Sequence, residues 1–253
     1  MHSNLINFMY MSLNNIRKER EGGFTLLELL IVISIIAILS VALVLVLNPA
    51  EALKKSRDAQ RISDLSTMKT ALGLYLSSVG TPDLDAAIAN ACLGTGNTSA
   101  LISYSLEAAD AVCAVNVAEG ADVATGSTFS PTDMCRYVPA ATGAFGIDGT
   151  GWVPVNLSSL TGGSPISSLP SDPVNTVAVT TAPVSSDLVY RYACQNVGGT
   201  GKPSYVFEFD AQLESDAYKV GGTDDKAAKD GGDNAGYYES GTSLKLIGAG
   251  SNF

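Results

Sequence analysis

Three sets of residues in this 253-residue chain have types and spacings that could do chemistry. The first is Glu28, the one ionisable group in the run 23–47, GFTLLELLIVISIIAILSVALVLVL, where Thr25, Ser34 and Ser40 are the other polar side chains. An acid inside an apolar segment of membrane-spanning length costs on the order of 3 kcal/mol on insertion scales and marks a functional position by default. The chemistry open to it is charge pairing, because a helix N-terminus favours an acid in its first turn and a free amine at the same depth would favour it more. The second set is Cys92, Cys113, Cys135 and Cys194, an even number, all beyond the apolar run. In an exported domain such a set reads as two disulfides. Of the three pairings, Cys92–Cys113, closing a local loop, with Cys135–Cys194, joining two candidate strands, is the expected one. Zinc would want CxxC-type spacing and usually histidine. The third set is the acids of 223–239, among which Asp230 and Asp233 are candidate calcium ligands. Calcium takes such oxygen donors around a glycine turn, but the spacing is not that of an EF-hand and a solvated acidic loop is the simpler reading.

Catalytic constellations are missing from the sequence. The single histidine is His2, which removes Ser-His-Asp and Cys-His chemistry. The stretch GGTGKPS has Asn196 and Pro203 where a phosphate loop needs Gly and Ser or Thr. The expectation is a protein that is not an enzyme and carries no cofactor, calcium aside. With 15 basic and 25 acidic residues the chain is net −10, so nucleic-acid binding, which wants a basic patch, is not expected.

What positions Glu28 is read from its surroundings. Arg17, Lys18 and Arg20 come first, then Gly22-Gly23, and only then the apolar run. An ordinary secretory signal has its cleavage site after the apolar region. A cut after Gly23 would instead leave the span on the mature protein, with Phe24 as its new N-terminus and Glu28 one helical turn on.

The register of Gly23, Phe24, Thr25, Leu26, Leu27, Glu28 and Leu29 with a membrane span resembles the class III signal of type IV pilins and pseudopilins. The resemblance implies cleavage after Gly23 by a prepilin peptidase, N-methylation of Phe24, and a role for Glu28 in setting the register between subunits. It also implies an inner-membrane assembly machinery, other copies of the chain and minor pilins in a helical filament as partners, with membrane lipid before assembly. The precursor would sit single-pass in the cytoplasmic membrane with its N-terminus inside, then enter an extracellular or periplasmic filament. Two alternatives stay open: a pseudopilin of a type II secretion system, and a membrane-anchored binding domain that never polymerises.

The remaining elements follow from periodicity. Asn48-Pro49 closes the apolar run, and proline predicts a kink rather than a stop, so one helix of about 80 Å is expected from Phe24 to Val79 at 1.5 Å per residue. Leu65, Met68, Leu72, Tyr75, Leu76 and Val79 form an apolar face with charges opposite, and Gly80-Thr81-Pro82 is a stop. Lys54, Lys55, Arg57 and Arg61 lie just past the span, against the positive-inside rule. In the head, 83–93 reads as a short helix and 101–110 as another. Segments 135–138, 152–157, 188–194, 205–213 and 244–247 read as strands, 196–203 as a hairpin loop and 158–187 as an ordered surface loop. In 205–213, Tyr205, Phe207, Phe209, Ala211 and Leu213 would face a core and Val206, Glu208, Asp210 and Gln212 solvent. The division is a leader at 1–23, a membrane and assembly helix at 24–47, an amphipathic helix at 48–80 and a head at 81–253. The fold class is α+β and pilin-like, a long N-terminal helix packed on an antiparallel sheet.

Overall fold

A computed structural model describes residues 22–85, 92, 102–106, 135–137, 143–176, 187–197 and 204–247, with the backbone alone at 45 and 135–137. The chain parts into two compact units, 1–49 and 50–253.

The first unit contains α1, Leu26–Leu47. Its 22 residues span about 33 Å, close to the thickness of a bilayer's hydrocarbon core. Among the described residues it lies in the one helix long and apolar enough to cross a membrane. Its large side chains are exposed all round, from Leu26 at 81% to Val46 at 82%, as a helix surrounded by lipid or by other helices requires. Ser34 and Ser40 do not disturb this, because each hydroxyl donates to the carbonyl four residues back, Leu30 and Ile36, at 2.7 Å. The helix ends at Asn48, whose φ of 39° is left-handed; asparagine is one of the few residues that visits that region readily. Pro49 then opens a new helix, a position where its missing N–H is no loss. The long helix expected from Phe24 to Val79 is present from Leu26 to Ser78, interrupted at the single residue Asn48 within the stretch where a kink was expected.

The second unit begins with α2, Pro49–Ser78. Its buried residues are Asp58, Arg61, Leu65, Met68, Ala71, Leu72 and Tyr75. The expected apolar face is present, with Leu76 and Val79 partly buried against the core. The same stripe continues backward through two charged residues, Arg61 and Asp58.

The sheet has five strands in the order β2-β1-β3-β4-β5: β1 Ile102–Tyr104, β2 Cys135–Tyr137, β3 Tyr190–Gln195, β4 Val206–Ala211 and β5 Tyr238–Gly241. Four strands run antiparallel to their neighbours, and β2 adds to β1 in parallel. The α+β, pilin-like class stands. Several strand assignments do not. Residues 152–157 are an irregular buried segment ending in a 3-10 turn, Leu157–Ser159. Residues 244–247 form no strand, β5 lies in the segment read as an acidic loop, and β1 replaces part of the helix assigned to 101–110. Of the helix assigned to 83–93, residues 83–85 form a turn and most of the rest lies outside the described residues.

One face of the sheet supplies Tyr190, Tyr192, Cys194, Phe207, Phe209 and Ala211 to a core shared with Leu65, Met68, Leu72 and Trp152. Trp152 packs edge-on against Phe209 at 6.0 Å and donates its indole N–H to the Pro170 carbonyl at 3.0 Å. The Tyr190 hydroxyl donates to Asp64 on α2 at 2.8 Å. The other face is also covered. Val189, Ala193 and Val206 pack with Tyr237, Leu246 and Ile247, so every residue of β4 is buried. The solvent side expected for Glu208 and Asp210 is an interior.

Candidate functional site

The N-terminal element is built from Gly23, Phe24, Thr25 and Glu28. Thr25 is the N-cap of α1. Its hydroxyl accepts from the Glu28 backbone N–H at 3.2 Å, while Glu28 Oε2 accepts from the Thr25 N–H and from the Thr25 hydroxyl, both at 2.8 Å. This is a capping box, which satisfies two helix-terminal donors reciprocally. The signal, Thr-x-x-Glu, was in the sequence; reading Glu28 only as a charge missed it. All bonds to Glu28 converge on Oε2, and among the described residues Oε1 accepts none. Gly22 and Gly23 are exposed with no atom within 4 Å of where a Cβ would stand, and Phe24 is 86% exposed. The Gly23–Phe24 peptide is open to an enzyme.

Just beyond the span a buried charge cluster ties α2 to the head. Arg61 is fully buried and makes two hydrogen bonds to Asp172, at 2.6 and 2.8 Å. It also bonds Asp58 at 2.7 Å and Glu214 at 2.8 Å. Arg57 grips Glu214 with two bonds of 2.7 Å. Asp58 accepts from the backbone of Glu214 and Ser215, and Glu51 from that of Asp216. The Arg57 and Arg61 guanidiniums hold the Glu214 carboxyl down to about 2, and those carboxylates raise both guanidiniums despite the burial of Arg61. Two of the four basic residues that offend the positive-inside rule are thus neutralised by the head.

The cysteines pair differently from expectation. Cys92 is bonded to Cys194, 102 residues away, which overturns both Cys92–Cys113 and Cys135–Cys194. Cys113 and the Cys135 side chain lie outside the described residues. The bridge is framed by Asp83, Asp85 and Asn196. Asp85 accepts from the Cys92 N–H at 2.9 Å, and the Asn196 amide bonds both carboxylates. Burial and the neighbouring Asp83 push Asp85 up to about 6.

The two candidate calcium ligands have different surroundings. Asp230 uses both carboxylate oxygens on backbone N–H groups, those of Gly232 and Glu239, at 2.8 Å. Asp233 is partly buried, and burial raises it. The acids brought together are others: Glu208 and Asp210 on β4 and Glu239 on β5, one oxygen of each within 4.8 Å of the others. Burial, then the neighbouring acids, push Glu208 and Asp210 well above the usual range, and burial carries Glu239 to about 7.

Residues 19–44 match the family model of the prokaryotic N-terminal methylation motif, the prepilin-type signature of type IV pilins and pseudopilins. No curated protein and no solved structure matches the chain. The matched stretch includes Arg20, Gly22-Gly23, Phe24, Glu28 and most of α1.

Proposed function

We propose that this precursor of type IV pilin or pseudopilin type is the structural subunit of a pilus-like filament, cut after Gly23, N-methylated on Phe24 and polymerised through α1. The observation that carries the reading is the pairing of an uninterrupted, all-round apolar helix with a single acid in its first turn. In the precursor that acid serves its own helix through Thr25. Cleavage places a cationic amine at Phe24, and in a bundle of such helices Glu28 Oε1 can take the amine of a neighbour while Oε2 keeps the cap. A buried charge left without its partner is strongly destabilising, so one register between subunits is favoured.

The partners implied are a prepilin peptidase, the inner-membrane assembly machinery and further copies of the chain. The location is the cytoplasmic membrane, N-terminus inside, before assembly and outside it afterwards. Mass spectrometry of the mature chain tests processing: the expected N-terminus is methylated Phe24, and any other start overturns the reading. Glu28→Ala tests assembly. It should leave the protein processed and in the membrane but abolish filaments, and normal filaments would refute the pairing.

A further inference from the structure

Glu208, Asp210 and Glu239 occupy the covered outer face of the sheet, and their oxygens are not all used. Asp210 stands directly opposite Arg191 on β3 and opposite Glu239 on β5, and Glu208 lies two residues along the same face. All three acids are at most 2% exposed. Glu208 Oε2 accepts from the Leu246 and Ile247 N–H groups at 2.6 and 3.0 Å, and Glu239 Oε2 from Asn234 N–H at 3.1 Å. Among the described residues the other oxygens, Glu208 Oε1, Glu239 Oε1 and both of Asp210, have no backbone, hydroxyl or cationic donor and only one another's carboxyl groups as partners. A buried polar atom is ordinarily satisfied; here three acids carry four such oxygens, and one oxygen of each acid lies within 4.8 Å of the others. The fold also makes room for them, since a Cβ at Gly232 would land on the Glu239 carboxyl.

The geometry points to a divalent-cation site, of the calcium class, held by Glu208, Asp210 and Glu239. All three donors are hard carboxylate oxygens, the set that calcium, magnesium and manganese take and soft metals do not. The charge of Arg191, the register partner of Asp210, offsets one of the three carboxylates, leaving two negative charges for the ion to balance. Two ligand atoms on opposite sides of one ion are separated by twice the ion–oxygen distance. That is about 4.6–5.2 Å for calcium and only about 4.0–4.2 Å for magnesium. The three oxygens lie within 4.8 Å of one another, which admits either ion; magnesium keeps several waters and takes one or two carboxylates, so three buried carboxylates favour calcium. The four unused oxygens would supply half to two-thirds of the 6–8 that calcium takes. The ion would lie beneath the segment that carries Leu246 and Ile247, and so would fasten the C-terminal part of the chain onto the sheet. This site is distinct from Asp230 and Asp233, and it does not depend on whether the chain polymerises.

The test is calcium uptake by the full chain in detergent micelles after chelation. One ion per chain is expected, with a dissociation constant of roughly 0.1–1 mM, the range of extracellular calcium modules, and with a raised melting temperature. Asp210→Asn and Glu239→Gln should each weaken uptake at least about tenfold, while Asp224→Asn, at an exposed acid, should leave it unchanged. Terbium emission excited through the head's aromatic residues, displaced by calcium, reads the wild-type site even if a variant fails to fold. No saturable uptake by the wild type, unchanged uptake in folded Asp210→Asn, or a preference for magnesium would each overturn the assignment.

Discussion

Arg61 and Asp172, 111 residues apart, meet through two parallel hydrogen bonds of 2.6 and 2.8 Å with both side chains fully buried. This fork-on-fork contact pins the loop that carries Asp172 to the beginning of the buried stripe of α2. It also holds the head against α2.

Removing one side of a buried ion pair leaves the other charge uncompensated, at a cost of about 3–5 kcal/mol. Arg61→Ala should therefore destabilise the head by roughly that amount in urea denaturation of the full chain in micelles. Arg61→Lys should recover only part of it, because an ammonium cannot reproduce the bidentate geometry. Equal stability of Arg61→Ala and wild type would show that the cluster is not what holds the loop.

The same cluster sets an acid limb. Glu214 titrates at about 2 in the fold against an ordinary 4.5. Its folded pKa is depressed, so the unfolded chain binds more protons in this window and stability rises with pH. The contribution is present above pH 4.5 and is lost as pH falls from there toward 2. Glu214→Gln should flatten this limb of a stability-against-pH curve while lowering stability at neutral pH. An unchanged acid limb in the variant would assign it to other carboxylates.

Non-reducing peptide mapping should recover Cys92 linked to Cys194, leaving Cys113 and Cys135 as the remaining pair by elimination. A Cys92–Cys113 peptide would contradict the bridge. Because Cys92–Cys194 closes 102 residues, the paired variant Cys92→Ser with Cys194→Ser should lose about 4.7 kcal/mol by the chain-entropy account, read from its denaturation midpoint.

Trp152 is fully buried between helix and sheet. Trp152→Ala should cost about 3–5 kcal/mol through the cavity it leaves. Trp152→Phe should cost less, chiefly the Pro170 carbonyl left without its donor, about 1–3 kcal/mol. Denaturation of the two variants side by side separates packing from the hydrogen bond.

Taken by itself, the sequence determined what depends on neighbours a few residues away. The spacing of Thr25 and Glu28 places a cap and an acid on the first helical turn. The spacing of Leu65, Met68, Leu72 and Tyr75 defines a buried stripe, and alternation in 188–194 and 205–213 yields the two central strands. Even the inward turn of Asp58 and Arg61 was legible, since they continue the same three-and-four spacing; their charge argued against it. Tertiary structure decided what depends on a partner far along the chain. Period shows which side chains share a face but not what will cover it, so only the packing of Tyr237, Leu246 and Ile247 over β4 turned Glu208 and Asp210 into interior acids. Cysteine count shows that bridges form but not between which positions, because pairing follows the distance between Cα atoms, and Cys92 and Cys194 are brought to 4.7 Å by the fold alone. A charge's worth likewise depends on whether water or an opposite charge surrounds it. Arg61 and Asp172 acquire that setting only when the head closes on α2.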